Sequence, residues 1–304
     1  MYMRITPSQR ERKAGKLVKR NLSKALEAIR TDGYVVIENI VDTEHLNILK
    51  VRMDEDSAVL TKAEKWGGAG HLIGHLQQGP PLCAPFVFQD VVANPIVIQV
   101  NTELLGEGIF NKFYNGNTNC PGSISQPMHR DGPALWPGQV TPHPTAQVVV
   151  NIPPQEVTEE NGAIELWPGS HLNTISKYPI NEGMQEEQRK INPPIRGCTN
   201  LGSVLIRDIR LWHRGVPNLS DNPRHMIAQI HTIHWYRRGE SLLFQTGCED
   251  AFPENCGGVD EFVLGKKFPG EVSIQAAVSL TRKQVLHAPF VQIRAQTGLL
   301  ALDS

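Results

Sequence analysis

Gln147-Val148-Val149-Val150-Asn151-Ile152 runs directly into Pro153-Pro154. The β-branched run reads as a strand, and two prolines without N–H donors end it. Outward from it the same pattern recurs. Short apolar stretches near Ala163–Leu166 and Val204–Asp208, and a longer one over about Met226–Trp235, lie between Gly/Pro turns. Upstream, 109–115 (Ile109, Phe110, Phe113, Tyr114) reads as another strand, followed by a polar loop from Asn115 to Ser123. No helical crossover pattern separates these strands. Parallel neighbours need such crossovers, so the spacing predicts an antiparallel sandwich or barrel and not a doubly wound sheet.

Helices belong on the flanks. Leu17, Leu22, Leu26 and Ile29 fall near helical spacing over 17–30, and Asp32-Gly33 ends the pattern. Tyr34–Ile37 then reads as a strand, and Asp42 as the N-cap of a second helix over about 43–58. Residues 66–82 are Gly-rich at their start but lack a phosphate-cradling spacing, and read as a mobile loop. Residues 1–20 hold seven Lys/Arg against one Glu and read as a solvated tail, dispensable for chemistry, leading into the first helix. With no internal repeat or low-complexity linker, residues 1–304 are expected to form a single domain.

Composition narrows the function. At 40% hydrophobic and 20% charged, 304 residues can bury a substantial core without staples. A net charge of −1 argues against a generally basic nucleic-acid binder. The five cysteines, at 83, 120, 198, 248 and 256, form no CxxC pair, so neither a zinc knuckle nor a disulfide framework is indicated. A reducing, cytoplasmic setting fits them. No apolar run nears the roughly 18 residues of a membrane span, and the N-terminus has no secretory pattern.

The chemistry concentrates in two of the settings that hold the eleven histidines. Gln126-Pro127-Met128-His129-Arg130-Asp131-Gly132 contains His-x-Asp. On a strand or its end, residues i and i+2 share a face, so imidazole and carboxylate can share one metal ion. Leu211-Trp212-His213-Arg214-Gly215 follows five residues after Asp208, and Arg224 comes eleven residues after His213. Two His and one carboxylate on one face of a metal leave three positions open, the arrangement of non-haem Fe(II) oxygenases. The planar fork of Arg224 suits the far carboxylate of a keto acid.

These motifs resemble those of the phytanoyl-CoA dioxygenase family of Fe(II)/2-oxoglutarate enzymes. The resemblance is carried by Asn119-Cys120-Pro121-Gly122-Ser123 before Gln126 and His129-x-Asp131, by Asn161-Gly162-Ala163 with Pro168-Gly169-Ser170-His171, and by Gly202-Ser203-Val204, Asp208, His213, Gly215, Asn218, Ser220 and Arg224. It covers roughly residues 20–238. It implies a mostly β fold with flanking helices, a double-stranded β-helix of jelly-roll type, with iron at its open end. It implies His129, Asp131 and His213 as iron ligands, Arg224 on the far carboxylate of 2-oxoglutarate, and Gln126 as a further 2-oxoglutarate contact. For Gln126 the alternative is a loop residue that satisfies backbone groups. The cofactors implied are Fe(II), with 2-oxoglutarate and O2 as cosubstrates. The Asn-Cys-Pro-Gly-Ser run resembles the branch that modifies natural products. The expected partner is a hydrophobic small molecule such as a terpenoid, meroterpenoid or alkaloid; a homodimer is compatible with the reading.

Other classes compete. A zinc hydrolase on the same three residues would leave Arg224 without a role, and a non-catalytic barrel would not need the complete ligand set. A halogenase needs a small residue where Asp131 stands. An acyl-CoA or amino-acid derivative remains an alternative substrate. The other histidines have plainer readings. His171 is a structural turn residue, His71 and His75 are loop histidines, and His231 and His234 share a strand on opposite faces. Tyr236 carries no local signal of a role. Pro133–Pro144, with Leu135 and Trp136, reads as a rim loop on which an apolar substrate rests.

Overall fold

The computed structural model describes residues 3–63, 73–136, 138–174, 179–236, 242–245, 247–252 and 263–265. In chain order its first elements are β1 (Arg4–Ile5), α1 (Gln9–Ala14), α2 (Lys19–Thr31), β2 (Tyr34–Ile37), α3 (Thr43–Leu60), β3 (His75–Gln77), α4 (Gln89–Val92), α5 (Pro95–Leu105), β4 (Phe110–Asn119) and β5 (Gln147–Ile152). There follow β6 (Glu165–Leu166), α6 (Glu182–Ile191), β7 (Ile195–Arg196), β8 (Val204–Asp208), β9 (His213–Arg214) and β10 (Arg224–Thr232). A short parallel pair, β11 (Leu243–Gln245) and β12 (Val263–Gly265), forms its own two-stranded sheet.

The large sheet has the order β1-β2-β8-β5-β10-β4-β3, and a small sheet has the order β7-β6-β9. All large-sheet pairings are antiparallel except β1 with β2. The nearly continuous apolar run of β5 is explained by cover on both faces. Val148, Val150 and Ile152 join Val35, Ile37, Val204, Ile206 and Ile227 against Ala25, Ala28 and Ile29 of α2, Leu46, Leu49 and Met53 of α3, and Ile96, Val97 and Val100 of α5. Each of the Val, Leu, Ile and Met side chains among them contributes about 1.5–3 kcal/mol when buried. On the other face Tyr34, Val36 and Leu205 meet Leu166 and Leu211 of the small-sheet side. The sandwich predicted from spacing is therefore a double-stranded β-helix with α2, α3 and α5 on one face and α6 against the small-sheet side.

Several elements differ from expectation. The basic N-terminal segment is folded, and not a solvated tail. Ile5 is 4% exposed in the core, and Arg4 pairs Glu38 at 2.9 Å. Ser8 and Glu11 form a capping box that starts α1, and Gly15 ends it at φ 61°. A two-residue edge strand needs only one inward apolar side chain, so its charged neighbours hid it. β4 also runs on through Asn115–Asn119, read as loop, because β10 and β3 take its backbone groups on both sides. β10 stops at Thr232, and His234 opens a separate turn, His234–Tyr236, so His231 and His234 do not share a strand. His75 lies on β3 and not in a loop, while His71 and the start of that Gly-rich stretch lie outside the described residues.

Candidate metal centre

The chain brings His129, Asp131 and His213 together where the start of β9 meets the segment 129–131. His213 begins β9, and its backbone bridges His129 in both directions, His129 N–H to His213 O at 3.1 Å and His213 N–H to His129 O at 2.9 Å. Asp131, two residues on, donates its N–H to the Ile209 carbonyl at 3.1 Å. One ligand atom from each of the three lies within 4.8 Å of the others. His129 Nε2 is 3.9 Å and His213 Nε2 is 3.4 Å from Asp131 Oδ1.

The tautomers are set by the opposite ring nitrogens. His129 Nδ1 donates to the Pro127 carbonyl and His213 Nδ1 to the Leu211 carbonyl, both at 2.8 Å. A carbonyl can only accept, so Nδ1 carries the proton and each Nε2 keeps its lone pair for the shared space. Burial, then the neighbouring His213, lowers the His129 pKa to about 4, which keeps that lone pair available at neutral pH. Burial alone would raise the Asp131 carboxyl; Arg207 and the two imidazoles outweigh it and hold it well below the usual carboxylate range. Two imidazole nitrogens and one ionised carboxylate, all aimed at one point, fit a divalent iron with open positions.

Arg224 opens β10 and is 3% exposed. Its Nη2 donates to the Gly162 carbonyl at 3.0 Å, and its Nε meets no partner. No carboxylate pairs with it among the described residues, and burial followed by the charge of Arg196 brings its pKa down to about 10. A buried guanidinium with a free donor is costly unless an anion arrives. A keto-acid carboxylate is such an anion.

Gln126 is held by its neighbours. Its Oε1 accepts from Gly215 N–H at 2.8 Å, and its own N–H donates to the Gly215 carbonyl at 2.9 Å. Gly215 permits this, because a Cβ there would lie 2.5 Å from His75 Cε1 and 2.9 Å from Gln126 Oε1. His75 in turn donates Nε2–H to the Ile124 carbonyl at 2.9 Å. Other motif residues build the frame. Asn119 Nδ2 donates to Val216 O at 2.8 Å, Asn218 Nδ2 donates to Asn119 O at 2.9 Å, and Asn218 N–H reaches Ser123 Oγ at 3.0 Å. Asp208 and Arg210 form a buried pair at 2.7 Å. His171 donates Nε2–H to the Arg30 carbonyl at 3.2 Å.

Sequence reasoning missed Arg207 and Asn151. Arg207 Nη2 donates to Asp131 Oδ2 at 2.5 Å, and its Nε to Asn151 Oδ1 at 3.0 Å. Both interrupt apolar strand runs, Val-Leu-Ile-Arg and Val-Val-Val-Asn-Ile, on the face toward the triad. A polar side chain within an inward-facing strand was the available signal.

Residues 29–226 match the family model Phytanoyl-CoA dioxygenase (PhyH), which spans more than half of the 304 residues. The chain belongs to that family, whose members are Fe(II)- and 2-oxoglutarate-dependent oxidoreductases. A curated relative, dioxygenase af480 of Aspergillus fumigatus, is 24% identical over 135 residues, which is 44% of this chain and 41% of the relative's length. Among solved structures, EctD from S. alaskensis with 2-oxoglutarate and 5-hydroxyectoine superposes with TM-score 0.55 at 17% identity, covering 73% of this chain and 78% of that one. The non-heme alpha ketoglutarate dependent carbocyclase SnoK from nogalamycin biosynthesis gives 0.53 at 17% identity, covering 74% and 86%. AviO1 from Streptomyces viridochromogenes gives 0.54 at 18%, covering 71% and 96%. At these identities the likeness is one of fold.

Proposed function

We propose that this member of the phytanoyl-CoA dioxygenase family oxidises an unactivated C–H bond of a hydrophobic secondary metabolite, by hydroxylation, desaturation or rearrangement. The observation that carries the reading is the pairing of a three-ligand metal centre with a buried, unmatched Arg224. When bound, Fe(II) with 2-oxoglutarate and O2 supplies an oxidant strong enough for such a bond, with succinate and CO2 released.

The chain's own residues do the rest. His129, Asp131 and His213 hold the metal, and Arg224 holds the far carboxylate of the keto acid. Gln126, its Oε1 already engaged by Gly215, offers its Nε2 donors to the same cosubstrate. Beside Asp131 lies an apolar face of Val149, Ile209 and Ala228 with Phe113 and Ile230 packed on it. Such a face lowers the local dielectric and keeps water from the reacting bond. At the rim Trp136 is 46% and Trp235 57% exposed, with ring centroids 5.9 Å apart. Exposed tryptophans on a rim loop and on the turn after β10 support an apolar, ring-bearing substrate over a small zwitterion. The test is succinate release by anaerobically Fe(II)-loaded protein, given 2-oxoglutarate, O2 and a panel of terpenoid, polyketide, acyl-CoA and amino-acid scaffolds. Stimulation by a cyclic apolar scaffold is expected. Stimulation by only an acyl-CoA or an amino-acid derivative would overturn the substrate class.

A further inference from the structure

We propose that Arg207 is a positioning residue that restricts Asp131 to single-oxygen ligation and thereby sets the affinity and open faces of the metal centre. The inference rests on the metal reading of the triad. Each of the three ligands has a second atom, the one not offered to the metal, and each of those atoms is tied down. For His129 and His213 the ties are the Pro127 and Leu211 carbonyls. These are backbone atoms, which no substitution removes. For Asp131 the tie is a side chain. Oδ1 faces both Nε2 atoms, while Oδ2 accepts from Arg207 Nη2 at 2.5 Å.

Arg207 is fixed in turn. It lies on β8, its side chain is 5% exposed, and its Nε donates to Asn151 Oδ1 on the neighbouring strand β5 at 3.0 Å. Its Nη1 sits 3.5 Å from His213 Nδ1. That nitrogen already donates to Leu211, so the contact is close packing of two donors and not a hydrogen bond. Arg207 therefore touches the rear of two ligands from one rigid position. A carboxylate with a free second oxygen could chelate the metal through both and fill a position that the keto acid or O2 needs. The Nη2–H of Arg207 on Oδ2 prevents this and aims Oδ1.

The test is a titration of Mn(II) against the full-length protein, read by the loss of the free-ion EPR signal, with folding checked by circular dichroism. Removing an outer-shell partner of a ligand typically weakens metal binding about 10–100-fold, and Arg207→Met is expected to fall in that range. In an Asp131→Ala background, Arg207→Met should change the affinity less than about threefold, because Arg207 acts through Asp131. A structural role would weaken both backgrounds alike. Arg207→Gln keeps a polar side chain in the site and carries the same comparison where Arg207→Met does not fold. The absorption of the anaerobic Fe(II)–2-oxoglutarate chelate should also shift in either variant. Parent-like Mn(II) affinity in both variants, or an equal loss in the Asp131→Ala background, would overturn the proposal. A parent protein that binds no Mn(II) would refute the metal reading instead.

Discussion

Arg224→Met separates the binding of the keto acid from the stability of the protein. Arg224 is buried, donates once to the Gly162 carbonyl and leaves Nε unsatisfied. In the ligand-free protein its replacement by a thioether of similar length removes an unpaired buried cation. That exchange is neutral or stabilising, against a loss of about 1 kcal/mol for the hydrogen bond to Gly162. With 2-oxoglutarate the sign reverses. Truncating one side of a buried charged pair costs about 2–5 kcal/mol, which weakens the ligand at least about 30-fold. The two effects meet in one assay, thermal unfolding with Mn(II), with and without 2-oxoglutarate. At about 100 times the parent's dissociation constant, ligand stabilises the parent by about 2.7 kcal/mol; a 30-fold weaker variant at the same concentration gains only about 0.9 kcal/mol. Arg224→Lys should recover part of the difference, because it restores the charge and not the fork. If Arg224→Met gains as much from 2-oxoglutarate as the parent, Arg224 does not hold the cosubstrate.

Deleting residues 1–12 removes β1, the capping box and the buried Ile5, and should lower unfolding stability by several kcal/mol; Ile5→Ala alone should cost about 2–4 kcal/mol by denaturant titration. His231 is buried with Nδ1 accepting from Asn101 Nδ2, and burial lowers its pKa from 6.5 to about 4. The unfolded chain therefore takes up a proton that the folded chain refuses, so stability should fall as pH drops from 6.5 toward 4, and the slope should flatten in His231→Gln. Gly215→Ala should displace the Gln126 side chain, which its Cβ would approach to 2.9 Å, and weaken 2-oxoglutarate binding in the same thermal assay with little change in Mn(II) affinity.

Much of the fold is legible in the sequence alone. The β5 run, the Asp42 cap and the His-x-Asp spacing are local signals, written in neighbouring residues. Asp42 does accept from Glu44 N–H, and β8 keeps its expected bounds. What was not legible depends on partners distant in sequence. Asn115–Asn119 looks like loop by composition, and is strand because β3 and β10 lie on either side. Residues 1–20 look like a solvated tail because Ile5 finds its core only once β2 is in place. Arg207 and Asn151 are separated by 56 positions and act on Asp131, 76 positions from Arg207. No motif spacing carries such a relation. The signature residues themselves divide by role. His129, Asp131 and His213 point at one another, whereas Asn119, Ser123 and Asn218 bind each other and tie the end of β4 to the turn before β10.

The central claim is that His129, Asp131 and His213 form one iron site with room for a chelating keto acid. Its most direct test is the anaerobic titration of the protein with Fe(II) in the presence of 2-oxoglutarate, followed by the visible charge-transfer absorption of the chelate. The account predicts saturation at one Fe(II) per chain, loss of the band in His129→Ala and His213→Ala, and a band in Asp131→Ala only at much higher Fe(II), while circular dichroism stays that of the parent. A band of parent intensity in the His213→Ala protein, or none in the parent, would contradict it.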